Sequence, residues 1–363
     1  MADEYSRTSG EPKIFNVLRE DLRRADFERV LRRDFKELKE FMLTEERQKQ
    51  LKDMGRLKRW FILAWWLLKS LILKLTPLRR LLVVLGIVLL LIHVEVKGDT
   101  QHYYFLGGLV LLFVLMLELK DKLIAQRELE AGRAVQNALM PERSPRVPGW
   151  NIWLFTRSAN EVGGDLVDFV QMSESRFGVA VGDVAGKGLR AALLSAKLQA
   201  SLRALAPDAT SLGELAAKLN HIFCRDSLPN LFASIFYLEV QPDSGAVRSL
   251  NAGHIPPLLL RGTEVEKLEK GGVALGILPS ATFVEQRVEL QTGNVLLVYS
   301  DGLTEARNEE GMFFGEQHLL DLVSRLTDLP AEQIGDRIVA EIDRFVGEAR
   351  ANDDLSIAIV RRL

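Results

Sequence analysis

The chain has 363 residues, more than one ordinary domain needs, so two units with connecting sequence are expected. Its 47% apolar and 26% charged residues exclude a disordered or collagen-like chain. The net charge of −2 conceals an asymmetry: residues 1–140 carry 25 basic and 19 acidic side chains, whereas residues 141–363 carry 22 and 30. The basic part suits a membrane surface or an anionic partner, and the acidic balance of the remainder argues against nucleic acid as its main ligand.

Residues 1–59 hold 16 Lys/Arg and 13 Asp/Glu and lack the apolar run of a signal peptide. Between Lys13 and Leu57 apolar residues such as Val17, Leu22, Val30, Phe35 and Leu38 recur every three or four positions, the period of an amphipathic helix or a pair of them. A solvated charged helix and a partner-binding one fit this pattern equally. Three apolar stretches follow. Trp60–Leu75 is interrupted by Lys69 and Lys74 and reads as an interfacial helix. Leu81–Val94 and Tyr103–Leu117 read as a hairpin of two membrane spans, at about 79–96 and 102–119. Their apolar cores are short, because 14 or 15 helical residues cover only ~22 Å of a ~30 Å hydrocarbon layer. Snorkelling Arg79 and Arg80 and interfacial Tyr103 and Tyr104 would have to close the gap. Two spans keep the basic arm and the Lys120/Lys122 flank on one side, so both termini are expected in the cytoplasm, with the protein in the inner membrane. A buried soluble helix pair is the competing reading. Residues 120–141 form a connecting helix whose Ile124, Ala131, Val135, Ala138 and Leu139 make an apolar seam, either a homodimer stalk or a plain spacer. Pro141, Pro145 and Pro148 end it.

From residue 142 the texture is β-rich. Strands are predicted at Trp150–Phe155, Phe177–Gly182, Phe232–Val240, Ala246–Ala252, Leu258–Arg261, Val295–Tyr299 and Leu355–Val360. Helices are predicted at Leu189–Leu205, Ser211–Cys224, Glu316–Leu326 and Ala331–Gly347. The hairpin spacing at Pro242–Gly245 favours antiparallel sheets, and with two helical pairs the fold class is α+β, a layered sandwich.

Aspartates carry the chemistry. Asp165 follows Gly163-Gly164, Asp183 follows an apolar strand and precedes Val184-Ala185-Gly186-Lys187-Gly188, Asp301 follows another strand, and Asp353-Asp354 precede the last one. Carboxylates at strand ends beside glycines can converge, and a cluster of three or four repels itself unless a divalent cation neutralises it. Oxygen-only ligands favour Mg²⁺ or Mn²⁺ over zinc. The single cysteine, Cys224, excludes an intrachain disulfide or a cysteine-based zinc site within one chain, and fits a reducing compartment. Gly182–Gly188 is not a P-loop, since its spacing is one residue short and Gly188 stands where Ser or Thr must bind magnesium. Gly163-Gly164-Asp165 also resembles the Gly-Gly-Asp hairpin of diguanylate cyclases, with Leu166 where an acidic residue belongs.

Five motifs occur in order: Glu161–Asp165 with Phe169, Gly182–Gly188 with Ala191-Ala192-Leu193, Asn251–His254, Tyr299–Ala306, and Asp353–Ser356. Together they resemble the SpoIIE/RsbU-like branch of the PPM-type (protein phosphatase 2C superfamily) serine/threonine phosphatases, over about residues 134–363. Ala185, Val167 and Leu355-Ser356 depart from its usual residues without removing an acidic ligand. The resemblance implies an αββα four-layer sandwich with two Mn²⁺ or Mg²⁺ ions at one edge. It implies that Asp183 bridges both ions, that the Val184 carbonyl binds one, and that Asp301 and Asp353 hold the other. Asp165 would act on the Val184 side, and Asp183 and Asp301 would be catalytic. It further implies a phosphorylated regulatory protein, of the anti-sigma-factor antagonist type, as substrate. A non-catalytic membrane scaffold of the same fold is the competing class. His254 is either a general acid or a structural turn residue.

Overall fold

A computed structural model of the chain describes Leu43, Arg47, Gln50, Leu51 and residues 54–96, 99–226, 231–242 and 244–363. Most of the amphipathic pattern expected between Lys13 and Leu57 therefore lies outside the described residues. The chain divides into two compact units, Met1–Lys122 and Leu123–Leu363.

In the first unit, α1 (Arg56–Lys74) and α2 (Pro77–Leu91) are separated by a break at Leu75-Thr76, where Pro77 takes the first turn of α2. Arg80 closes the end of α1, its Nε donating to the Ile72 and Leu75 carbonyls and its Nη2 to that of Leu73. A two-stranded hairpin, β1 (His93–Val96) and β2 (Asp99–His102), leads into α3 (Tyr104–Leu139). Gly86 and Gly107 let α2 and α3 touch: a Cβ on Gly107 would come within 2.7 Å of the Gly86 carbonyl. Arg79 pairs with Glu118 at 2.7 Å and with Asp121 at 2.5 Å.

The expected spans are corrected here. Among the described residues no helix is long and apolar enough to cross a membrane. The first expected span, 79–96, stops as helix at Leu91 and becomes strand, so α2 has 15 residues and reaches only ~22 Å. The second span and the connecting helix are one 36-residue helix, apolar to Leu117 and charged from Glu118. No glycine or proline interrupts it between Gly108 and Gly132.

In the second unit two antiparallel sheets stack. The six-stranded sheet contains β3 (Arg146–Val147), β4 (Trp150–Arg157), β9 (Leu258–Arg261), β10 (Glu264–Lys267), β12 (Val295–Tyr299) and β13 (Leu355–Arg362), in the order β10-β9-β12-β13-β4-β3. The five-stranded sheet contains β5 (Leu166–Gln171), β6 (Phe177–Val184), β7 (Ala233–Val240), β8 (Ala246–Ala252) and β11 (Glu285–Glu289), in the order β11-β8-β7-β6-β5. Side-chain alternation assigns each face. Along β6, Phe177, Val179 and Val181 enter the core between the sheets, while Ala180 and Val184 face α4 (Leu189–Leu205) and α5 (Leu212–Asp226). Along β13, Ala358 and Val360 join the inter-sheet core, and Leu355, Ile357 and Ile359 meet α7 (Glu316–Val323) and α8 (Ala331–Val346). Both faces of the central strands are buried, which is why they read as nearly continuous apolar runs. A short α6 (Asp301–Thr304) follows β12. The result is helices, sheet, sheet, helices: the layered α+β sandwich.

Candidate active site

Asp165 stands one residue before β5, and Asp183 is the penultimate residue of β6. Because Leu166 pairs with Gly182, the two aspartates emerge at the same end of the five-stranded sheet. Asp301 opens α6 just after β12, and Asp353 lies two residues before β13. Tyr299 pairs with Ile357, so these two share one end of the six-stranded sheet.

The electrostatics show that the two pairs face one another. Asp183 is pushed up to about 6, first by burial and then by the charges of Asp301 and Asp353, with a hydrogen bond from Asp165 opposing the rise. Asp165 is raised well above the carboxylate range by burial, against hydroxyls of Ser356 and Ser300, and by the charge of Asp183. Asp301 is raised by burial and by Asp353 and Glu305. The Asp165 Oδ2 atom is buried without a hydrogen-bond partner. Val184 is fully buried, and its carbonyl lies 3.0 Å from where a Cβ on Gly164 would stand.

Among the described residues, no group of three or more His, Cys, Asp or Glu side chains is gathered closely enough to hold a metal ion as it stands. The donor set nonetheless fits a hard cation. It is all oxygen, mutually repelling, and includes an enclosed carboxylate oxygen with nothing to accept from. A cation already sits on one of these carboxylates: the Lys187 ammonium is 3.0 Å from Asp353 Oδ2 and donates to the Asn352 carbonyl.

Several neighbours were not singled out in the sequence. Ser300 and Ser356 lace β12 to β13: Ser300 Oγ accepts from the Ser356 amide and donates to the Asp354 carbonyl. Gln136 of α3 holds Gly163 from both sides, its amide nitrogen donating to the carbonyl at 2.9 Å and its oxygen accepting from the N–H at 3.2 Å. A polar residue on a helical linker gives no hint of such a long-range partner. His254 is buried, shares a 3.0 Å hydrogen bond with Ser234 Oγ through Nδ1, and exchanges hydrogen bonds with Asn251 through its backbone. Burial lowers its pKa to about 4, so the imidazole is neutral near pH 7. Gly163-Gly164-Asp165 lies in the crossing from β4 to β5, between the two sheets; it is not the tip of a hairpin, which removes the cyclase reading.

A sandwich of two antiparallel sheets with an acidic cluster at one edge defines the PP2C-type phosphatase class, and comparison with known proteins agrees. The model of the family "Stage II sporulation protein E (SpoIIE)" matches residues 173–363, more than half of the chain, and the chain belongs to that family. It is 26% identical over 273 residues to Protein IcfG of Synechocystis sp., covering 68% of this chain and 43% of that protein. It is 25% identical over 237 residues to phosphoserine phosphatase RsbU of Bacillus subtilis, covering 65% of this chain and 70% of RsbU. This chain therefore spans less than half the length of IcfG. In three dimensions it resembles the SiaA-PP2C domain of Pseudomonas aeruginosa with a TM-score of 0.57 at 19% identity, over 67% of this chain and 98% of that domain. At that identity the likeness establishes the fold.

Proposed function

We propose that the chain is a metal-dependent protein serine/threonine phosphatase that removes phosphate from phosphoserine or phosphothreonine on a regulatory protein. The observation that carries this reading is the meeting of Asp165 and Asp183, at the end of one sheet, with Asp301 and Asp353, at the end of the other, where the charges of Asp301 and Asp353 raise the pKa of Asp183. Asp165, Asp183, the Val184 carbonyl, Asp301 and Asp353 would hold two Mn²⁺ or Mg²⁺ ions. When bound, such ions supply an activated water and neutralise the phosphoryl oxygens. The chain's own part is to fix these oxygens on strand ends that cannot drift. Asp183 and Asp301 would be the catalytic carboxylates, and Lys187, which pairs with Asp353, adds a positive charge at the rim. No cysteine or histidine nucleophile is needed, in keeping with the burial of His254.

The substrate proposed is a regulatory phosphoprotein of the anti-sigma-factor antagonist type; that RsbU is a phosphoserine phosphatase supports phosphoserine as the group removed. The apolar residues exposed on α2 and the start of α3, among them Leu81, Leu91, Phe105, Phe113 and Met116, support attachment to a membrane, and the basic bias of residues 1–140 supports its cytoplasmic face. Exposed Ile124 and Val135, with Ala131 and Ala138, support a homodimer seam along α3.

The deciding experiment is phosphate release from a phosphoserine peptide by the full chain, with and without manganese. Release that requires manganese is expected. A chain that binds phosphoprotein but releases no phosphate at any manganese concentration would be the scaffold instead.

A further inference from the structure

The doublet Asp353-Asp354 divides into two different environments. Asp353 is partly exposed and meets Lys187. Asp354 is 8% exposed, and its carboxylate points away from that rim into the β4–β5 crossing. Its Oδ1 accepts from the Ala159 amide at 2.8 Å, and its Oδ2 accepts from the Gly164 amide at 2.6 Å and the Asp165 amide at 3.4 Å. Both oxygens are thus occupied by N–H donors of one loop, the loop that delivers Asp165.

The loop lies hard against this carboxylate. A Cβ on Gly163 would come within 2.6 Å of Asp354 Oδ2, and one on Gly164 would come within 3.0 Å of the Val184 carbonyl. Asp354 therefore holds the loop where Gly164 abuts the segment that carries Asp183 and Val184. Its backbone ties in the remaining pieces. The carbonyl accepts from Ser300 Oγ, next to Asp301, and the amide donates to Asp353 Oδ1 at 3.1 Å.

Resting on the metal-phosphatase reading above, we infer that Asp354 is a positioning residue. It does not ligate metal; it sets the Ala159–Asp165 loop so that Asp165 reaches the cluster. Only a carboxylate can do this, because all three partners are donors and both oxygens must accept. The isosteric Asp354→Asn turns one of those oxygens into an NH₂ group facing an N–H.

The experiment uses the full-length chain and two readouts. The first is hydrogen exchange at residues 159–165 in metal-free protein, with β6 as internal reference. The second is the manganese dependence of phosphate release. Asp354→Asn is expected to speed exchange in the loop about 10-fold, the loss of roughly one net hydrogen bond. It should raise the manganese concentration for half-maximal rate ~10–100-fold, the usual consequence of losing a partner behind the ligands. Turnover at saturating manganese should return to within about threefold of the parent, since no ligand is lost. Unchanged exchange, or turnover that manganese cannot restore, would overturn the assignment. Gly163→Ala, which puts a methyl against Asp354 Oδ2 and Ser158 Oγ while leaving Asp354 in place, should give the same pattern and serves if Asp354→Asn does not fold; wild-type behaviour of that variant would equally overturn it. Asp183→Asn runs as the control. If that variant keeps its turnover, the assignment of Asp183 to the metal site fails, while the metal-free exchange still decides what Asp354 does.

Discussion

The two units use apolar residues in opposite ways. In the second, the apolar residues of β6, β7 and β13 are buried on both faces of their sheets. In the first, α2 and the opening of α3 are equally apolar, yet Leu81, Leu91, Phe105 and Leu115 remain 69%, 74%, 81% and 62% exposed, because the helices meet mainly along a seam marked by Gly86 and Gly107. Apolar sequence thus makes a core only where the topology supplies a second layer. Where it does not, the same residues form a surface that needs a cover.

This contrast can be broken or sharpened by measurement. The largest expected effect concerns the site that the buried sheets support. Asp183→Asn should lower manganese-dependent phosphate release by at least ~100-fold while raising the melting temperature of the metal-free protein, because it removes a charge that burial and Asp301 oppose. A fall in metal-free stability would mean that the carboxylates are not in conflict. Next, Leu238→Ala, between the sheets and fully buried, should cost about 2–5 kcal/mol in denaturant unfolding of the second unit.

A third test reads the burial of His254. Its folded pKa of about 4 lies below the ordinary 6.5, so the unfolded chain takes up a proton between those values and the folded chain does not. Stability is therefore lost as pH falls from about 6.5 towards 4, by roughly 3 kcal/mol for this group. The stability difference between the parent and His254→Gln should shrink or reverse over that range, and a difference independent of pH would show that the imidazole is not held neutral. The smallest effect belongs to the first unit. Leu112→Gln, at a half-exposed position, should change unfolding free energy by less than about 0.5 kcal/mol. Loss of membrane sedimentation without loss of fold is the expected signature, and a large destabilisation would show that this face is already covered.

Legibility in the sequence follows the same division. Strands buried on both faces announced themselves as apolar runs, and the helix at Leu189–Leu205 has the limits that its period predicts. β5 was not recognised, because Asp168 interrupts its pattern. That aspartate is fully buried and held by Arg203, 35 residues later, through two hydrogen bonds of 2.9 and 2.7 Å. The edge strands β10 and β11 were missed because Glu264-Val265-Glu266-Lys267 and Glu285–Glu289 are too charged to look like sheet. Of the site, all four candidate aspartates were legible as strand-end residues beside glycines or before the final strand, and the structure places them at one edge. What separates Asp353 from Asp354 was not, since neighbours in sequence differ there only in which way each side chain points. The membrane hairpin failed for a simpler reason: hydropathy marks apolar residues but not where a helix gives way to a strand, as α2 does at Leu91.

The placement of β13 bears on how the molecule comes into being. It is an inner strand, flanked by β12 and β4, although it comes last in chain order. Its partner β4 lies some two hundred positions earlier, so that Thr156 and Ser356 share a 2.9 Å hydrogen bond across a separation of 200 residues. Closing so large a loop is slow, and no local contact can stand in for it. Until β13 is in place, β4 and β12 have no strand between them. Asp353 arrives only with the strand that closes the sandwich. The acidic cluster is therefore complete only once β13 is in place.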